Sequence, residues 1–382
     1  MEAINEFIVK ISSRCNLNCT YCYEYNLGDD SWKFMEKKIS ISTIQQLINR
    51  IIKHCEKNEI NDVVISLHGG EPLLVGSILL EEIILEFKKL ENFNIYPLIT
   101  LQTNGTLIDE DILAIFLKHS IYISTSIDGD LNHNYNRVYH NNKNSFVGAL
   151  TGINLIRDKI PTQFLGVLSV IDIINDPIEI YNFYKKNRFQ TFDFILPDYS
   201  WQNKPPRPDV LNWMPNKTDA DDLIIYGLWY AKIWDLWVND EDDPPKIRFF
   251  ENILHNIVTG NGIFELMNND PATLITINTN GGYEGVDTLK SLGTGYQKLN
   301  LNIFDHDLEL VMEHPKYKLR QNSKDQYSDK CLNCINLDTC WGGYFPHRMD
   351  GDTIKESIYC NDLYFIINHI KYFLNKKKVI QK

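Results

Sequence analysis

From residue 6 to about 200, short runs of β-branched and aromatic residues alternate with segments whose apolar positions recur every three or four residues. The runs near 6–11, 62–67, 96–102, 121–127, 163–171 and 191–196 predict strands, and the amphipathic segments near 42–56, 79–90, 109–118, 145–157 and 176–187 predict helices. Such alternation builds a parallel sheet with right-handed crossovers, open or curled toward a barrel. Polar or glycine-rich stretches follow the predicted strand ends: "CNLNCTYC" after the first, "HGGEP" after the second, "TNGT" after the third and "DGD" after the fourth. Loops at the carboxyl ends of parallel strands share one rim, so these stretches are expected to meet there.

Regularity breaks over 196–217, "LPDYSWQNKPPRPDVLNWMPNK", with five prolines between Pro197 and Pro215. A helix is expected near 220–238. Its Tyr226, Trp229, Tyr230, Trp234 and Trp237 read as core at helical spacing, with a peptide-binding platform as the alternative. From 272 follow strand-like "TLITINTN", a turn at Gly281-Gly282, a cysteine-rich stretch over 331–340 and a closing amphipathic helix near 361–375. The expected segments are therefore 1–200, a helical bridging region over 201–271, and 272–382.

Composition narrows the function classes. The 382 residues are 43% hydrophobic, enough for a sizeable core. No run reaches the length of a membrane span, and the N-terminus lacks the order of a signal peptide, so a cytoplasmic protein without a membrane partner is expected. With 38 Lys and Arg against 50 Asp and Glu, the net charge of -12 argues against nucleic acid and points to a small molecule or peptide.

Seven of the eight cysteines fall into two groups, 15, 19, 22 and 331, 334, 340, 360, which in a reducing compartment reads as two metal sites. Cys55 instead continues the helical stripe of Ile44, Leu47, Ile48, Ile51 and Ile52 and is expected in the core. Cys15, Cys19 and Cys22 give three thiolates on one loop. Closed structural zinc takes four ligands, and no nearby Cys or His completes the set, whereas an iron–sulfur cube held by three thiolates keeps one iron open.

This spacing, with Tyr21 before the last cysteine and a strand before the first, resembles the radical S-adenosylmethionine (SAM) enzymes. The resemblance implies a partial (β/α)6 TIM-like barrel of α/β class, a [4Fe–4S] cluster on the three cysteines, and SAM on its open iron as the source of a 5′-deoxyadenosyl radical. It also implies that Gly69, Gly70, Glu71 and Pro72 of "HGGEP" meet the SAM ammonium, that Ser126 and Arg137 face its carboxylate, and that Gln102 and Asn104 serve the ribose. Read by itself, "HGGEP" is rather a strand-to-helix turn with a capping Glu71, a preference the cysteines reverse, and Asn104 before Gly105 is equally turn chemistry.

Cys331, Cys334, Cys340 and Cys360 form a four-thiolate set that spacing alone assigns to zinc or to iron and sulfur evenly. The set is similar to the C-terminal α+β SPASM region of radical SAM peptide maturases, which implies one fully ligated auxiliary [4Fe–4S] cluster for electron relay or support. A nearer auxiliary cluster would need cysteine where Tyr344 stands and others in 240–300, where there are none. His347 and Arg348 fall beside this set as structural or peptide-contacting residues.

The stretches "LPDYSWQNKPPR", "GGYEGVDTLKSLGTG" and "CWGGYFPHRMDGDTIKESIYCNDL" look like the maturases that form cyclophanes in ribosomally made peptides, joining an aromatic ring carbon to the β-carbon of a later residue. Departures are Trp341 in place of a first glycine and Lys355-Glu356-Ser357 before the last cysteine. The resemblance implies a precursor peptide as substrate, an electron donor such as flavodoxin or ferredoxin, and a carboxylate base, for which Asp287 is the first candidate and Glu284 the second. Asp287 as a cap of the following turn is the alternative. Because the first strand starts by residue 6, leader recognition is expected to use the barrel, the 200–270 region, a separate protein or the SPASM surface. Other products (a thioether, an epimer, an oxidised Ser or Cys) and a non-catalytic zinc module are the competing readings.

Overall fold

The computed structural model describes residues 2–262, 264–321 and 326–377. It divides into two compact units that interleave along the chain: Met1–Ile127, Asn134–Gly166 and Pro271–Asn322 form one, and Asp128–His133, Val167–Asp270 and Ser323–Lys382 the other. The division does not follow chain order.

In the first unit, β1 (Glu6–Ser12), β2 (Asp62–Gly69), β3 (Tyr96–Thr103) and β4 (Tyr122–Ser126) are joined by α1 (Ile41–Asn58), α2 (Ser77–Lys88) and α3 (Glu110–His119), and α4 (Phe146–Lys159) follows β4. The strands pair in parallel in the order β1-β2-β3-β4. On its other side β1 takes β8 (Leu274–Ile277), parallel, with Glu6 opposite Leu274 and Val9 opposite Ile277. The antiparallel strands β9 (Gly282–Glu284) and β10 (Lys298–Asn302) complete that edge. Chain 268 residues away in sequence, as between Glu6 and Leu274, thus lies beside the first strand.

Helix ends follow local chemistry. Ser40 caps α1 by accepting from the Thr43 N–H (3.0 Å), and Asp109 caps α3 by accepting from the Ile112 N–H (2.9 Å). The apolar stripe of α1 faces the strands and includes Cys55, 1% exposed, whose thiol burial pushes up to about 12. The helix α4 comes close to the "TNGT" loop because Gly152 has no side chain: a Cβ there would lie 2.0 Å from the Gly105 carbonyl oxygen.

In the second unit, Val167–Val170 of β5 (Phe164–Val170) pair in parallel with β6 (Thr191–Ile195), which pairs with β7 (Lys246–Ile247). The helix α5 (Pro177–Lys186) connects β5 to β6. The helix expected near 220–238 is broken into α6 (Asp219–Asp222) and α7 (Ile225–Trp237), because Thr218 and Asp221 form a capping box that starts its own turn. After α8 (Arg248–Thr259), this unit resumes with α11 (Asp329–Leu332), α12 (Leu337–Cys340), a two-stranded ribbon of β11 (Met349–Asp350) and β12 (Thr353–Ile354), and α13 (Cys360–Lys376). The intervening α9 (Leu308–Glu313) and α10 (Pro315–Lys318) belong to the first unit.

The aromatics of α7 are core, as their spacing indicates. Tyr230 stacks on Phe249 with centroids 3.9 Å apart, Trp229 meets Phe194 edge-on at 5.0 Å, and Tyr226 meets Tyr359 at 5.0 Å. Two of their polar ends are satisfied inside: the Trp229 indole N–H donates to the Asn175 carbonyl (3.0 Å) and the Tyr230 hydroxyl to the Phe194 carbonyl (2.7 Å). Among the described residues no helix is long and apolar enough to cross a membrane.

Gly152→Ala should lower the thermal unfolding temperature, because the added methyl must push α4 off the Gly105 carbonyl, at a cost on the order of 1–3 kcal/mol. Thermal melts of this variant beside Thr151→Ala on the exposed face check the effect, which the second substitution should not show.

Candidate active site and second thiol cluster

The β1 strand ends at Ser12, and the chain turns into the loop that carries Cys15, Cys19 and Cys22. Backbone bonds stitch this loop to the end of β2: the Gly70 N–H donates to the Ser12 carbonyl and the Glu71 N–H to the Arg14 carbonyl, both at 2.9 Å. Gly70 is required by this approach, since a Cβ there would lie 1.8 Å from the Tyr25 hydroxyl and 2.6 Å from the Arg14 carbonyl oxygen.

Glu71 is buried, and both of its oxygens accept hydrogen bonds. One carboxylate oxygen accepts from the Leu73 N–H (3.0 Å) and the Thr103 hydroxyl (2.7 Å), the other from the Asn104 N–H (2.8 Å). It therefore caps the short 3₁₀ turn Pro72–Val75 and pins the end of β3 to that of β2. A carboxylate has four lone-pair sites, so one remains for a cation. Asn104 does what a turn asparagine does, accepting from the Thr106 N–H (3.0 Å) and hydroxyl (2.7 Å). Its amide reaches the cluster loop at Asn16 Oδ1 (2.9 Å) and Cys15 Sγ (3.8 Å). Gln102 on β3 donates to Ser126 Oγ on β4 (2.9 Å). Arg137, buried, donates to the Tyr21 hydroxyl (2.9 Å). The loops after β1, β2 and β3 and the end of β4 thus meet, as parallel topology requires.

The donors suit an iron–sulfur cluster. Burial pushes the Cys15 thiol up to about 12 and the Cys22 thiol higher still, so thiolate forms there when a metal replaces the proton. The Leu17 N–H points at Cys15 Sγ (3.3 Å), the kind of backbone bond that steadies a cluster sulfur. Among the described residues no three Cys, His, Asp or Glu side chains converge as ligands of one ion do, and a cluster spaces its thiolates more widely than a single ion.

The proposed bases lie in the same unit. Asp287 opens the 3₁₀ turn Asp287–Leu292 and makes no side-chain cap. Instead its Oδ2 accepts from the Tyr23 hydroxyl (2.9 Å) and pairs with Lys10 Nζ (3.2 Å). Burial pushes this carboxyl up, but Lys10, His68, Lys290 and the Tyr23 hydroxyl outweigh it and hold the group well below the usual carboxylate range. Glu284, on β9, is 1% exposed, with Lys290 Nζ at 3.5 Å and Lys10 Nζ at 3.8 Å. Lys10, Tyr23, Glu24 and Lys290 were not anticipated from sequence. The available signal was a lysine inside an otherwise apolar strand, "FIVKI".

In the second unit, Cys331 ends up in α11, Cys340 closes α12 and Cys360 opens α13, and with Cys334 they line one cavity of about 390 Å³. The Asn336 N–H points at Cys334 Sγ (3.4 Å), and burial pushes the Cys340 thiol up to about 12. Asn256 anchors α12 by donating to the Thr339 carbonyl (2.8 Å). His347 is buried between the rings of Tyr344 and Tyr359, at 5.3 and 4.9 Å, and Arg348 donates to the Gln326 carbonyl (2.8 Å), both in structural surroundings.

Residues 9–183 match the family model of the Radical SAM superfamily. The chain is 27% identical over 356 residues, 90% of its length and 88% of the relative's, to a cysteine-type anaerobic sulfatase-maturating enzyme of Clostridium novyi. It is 28% identical over 254 residues, 64% of its length and 60% of the relative's, to a serine-type enzyme of that name from Bacteroides thetaiotaomicron. The solved structure of native anSMEcpe with bound AdoMet superposes with a TM-score of 0.79 at 21% identity, covering 98% of this chain and 100% of that one, which shows a common fold. The family match spans Cys15, Cys19, Cys22 and Glu71, so residues 9–183 form a radical SAM region, similar to enzymes that use SAM and a [4Fe–4S] cluster.

Proposed function

We propose that the protein removes a β-hydrogen from a residue of a ribosomally made precursor peptide and joins that carbon to an aromatic ring, closing a cyclophane with net loss of two hydrogens. Cys15, Cys19 and Cys22 would hold the SAM-binding cluster, and Cys331, Cys334, Cys340 and Cys360 an auxiliary one. When bound, these groups supply the 5′-deoxyadenosyl radical that takes the hydrogen and an acceptor for the electron released later. Glu71, Gln102, Asn104, Ser126, Arg137 and the backbone at Gly69, Gly70 and Pro72 orient the cofactor, with Tyr21 held to Arg137.

The observation that carries the reading is the carboxylate of Asp287, buried in the same unit as the cluster loop and gripped by Lys10 at 3.2 Å and the Tyr23 hydroxyl at 2.9 Å. Once the β-carbon radical has added to the ring, restoring aromaticity expels one proton and one electron from the ring carbon. Asp287, whose cationic neighbours hold it well below the usual carboxylate range, would take that proton. Glu284 is the second candidate, less free because Lys290 and Lys10 flank it. The four-cysteine set leaves no open iron for substrate in the auxiliary cluster, which fits electron transfer.

The likeness to sulfatase-maturating enzymes over 90% of the chain favours a second reading, oxidation of a Cys or Ser side chain in a protein substrate. Anaerobic co-expression with candidate precursor peptides that carry aromatic residues, and with peptides that carry a target Cys or Ser, followed by tandem mass spectrometry, separates them. The first reading expects loss of two hydrogens and fragments locked across an aromatic residue; an aldehyde that couples to a hydrazide would establish the second and overturn the first.

Asp287→Asn should leave 5′-deoxyadenosine formation within about twofold of wild type while lowering crosslinked peptide by roughly 100-fold, the usual scale for a lost general base, as liquid chromatography of both products will show. Cys340→Ala should lose roughly half of the iron bound after anaerobic reconstitution, since one of two cubes loses a ligand, whereas Cys55→Ala should lose none.

A further inference from the structure

The first unit buries more charge than proton acceptance alone requires. Lys10, 2% exposed, lies among three carboxylates, with Glu24 Oε2 at 2.7 Å, Asp287 Oδ2 at 3.2 Å and Glu284 Oε2 at 3.8 Å. Lys290 Nζ takes the other oxygen of Glu24 at 2.7 Å. A lysine sealed in this way is expensive to desolvate, and an apolar residue would fill the strand position at lower cost. Burial alone would weaken its charge, yet the carboxylates of Glu24, Asp287 and Glu284 reverse that and keep the ammonium protonated.

The placement of these contacts is selective. The two direct contacts of Asp287, the Lys10 ion pair and the Tyr23 hydrogen bond, both fall on Oδ2. Among the described residues no hydrogen bond or ion pair reaches Oδ1. One oxygen is anchored and the other is left for whatever reacts. The same ammonium donates to Glu24, two residues beyond Cys22, so the anchor is joined to the loop of the three cysteines.

We propose that Lys10 is a positioning residue: by fixing Oδ2 it aims Oδ1 of Asp287 at the departing proton, and through Glu24 it keeps that aim in register with the cysteine loop. The inference rests on Asp287 being the proton acceptor. Misaiming by an ångström leaves radical formation intact and lets the substrate radical decay unproductively, so the quantity to read is coupling, crosslinked peptide per 5′-deoxyadenosine.

The test uses the reconstituted holoenzyme and its precursor peptide, comparing Lys10→Met, Lys10→Arg and Asp287→Asn for coupling, iron bound, peptide affinity and the electron paramagnetic resonance signal of the reduced, SAM-bound cluster. For K10M we expect iron, affinity and signal as in wild type and coupling lower by about 10- to 100-fold. K10R, which keeps the charge and moves the donors, should fall between. A purely structural role would lower iron, affinity and both products together and leave coupling unchanged. Wild-type coupling in K10M, or in K10R should K10M not accumulate, overturns the positioning role. Wild-type coupling in D287N instead overturns the base assignment beneath it, so the two failures are told apart.

Discussion

An ammonium sealed inside a parallel strand is tolerated only where carboxylates come to meet it, and Lys10 imposes that demand on everything around it. Two of its three partners, Glu284 and Asp287, come from the far end of the chain, as does Lys290, 266 residues from the Glu24 it binds. They arrive because β8 lies parallel against β1 and turns back into β9, which delivers the following 3₁₀ turn over the end of β1. Pairing and charge thus fix each other. If β8 slipped by one residue, Glu284 and Asp287 would leave the ammonium, and stranding a buried charge costs about 3–5 kcal/mol.

The parallel α/β half of the chain was legible because its two periods are long and clean: predicted and observed strands agree within one or two residues at 6–12, 62–69, 96–103 and 191–195. The burial of Cys55 and of the α7 aromatics was legible for the same reason. The break of the helix near 223 was not, because the Thr218–Asp221 capping box outweighs an apolar period that continues across it. The interleaving of the two units was not legible either, since which distant strand pairs with β1 is a non-local choice that local pattern does not encode.

At the site, short-range chemistry could be read and long-range electrostatics could not. The thiol spacing, the close approach at Gly70 and the turn at Asn104 are properties of a few consecutive residues. The roles of Glu71 were both present in its sequence context, and the structure shows it capping a turn while keeping an acceptor site open. Lys10 stands out only as a charge in an apolar strand and Glu24 not at all, because their significance depends on partners more than 250 residues away.

Cyclophane closure and oxidation of a Cys or Ser side chain share most of their chemistry. Each begins with loss of one β-hydrogen and ends with loss of one proton and one electron from the substrate radical. They differ in which atom surrenders the proton: a ring carbon after a new bond has formed, or a heteroatom on the β-carbon itself. A clamped carboxylate with one free oxygen serves either, so 27% identity to sulfatase-maturating enzymes is compatible with a different product. What decides the product is whether an aromatic ring reaches the β-carbon before the electron leaves. That is a matter of how the peptide is held, and a base that moves would blur the competition, so the proposed anchor on Asp287 would matter more for ring closure than for oxidation at a single carbon.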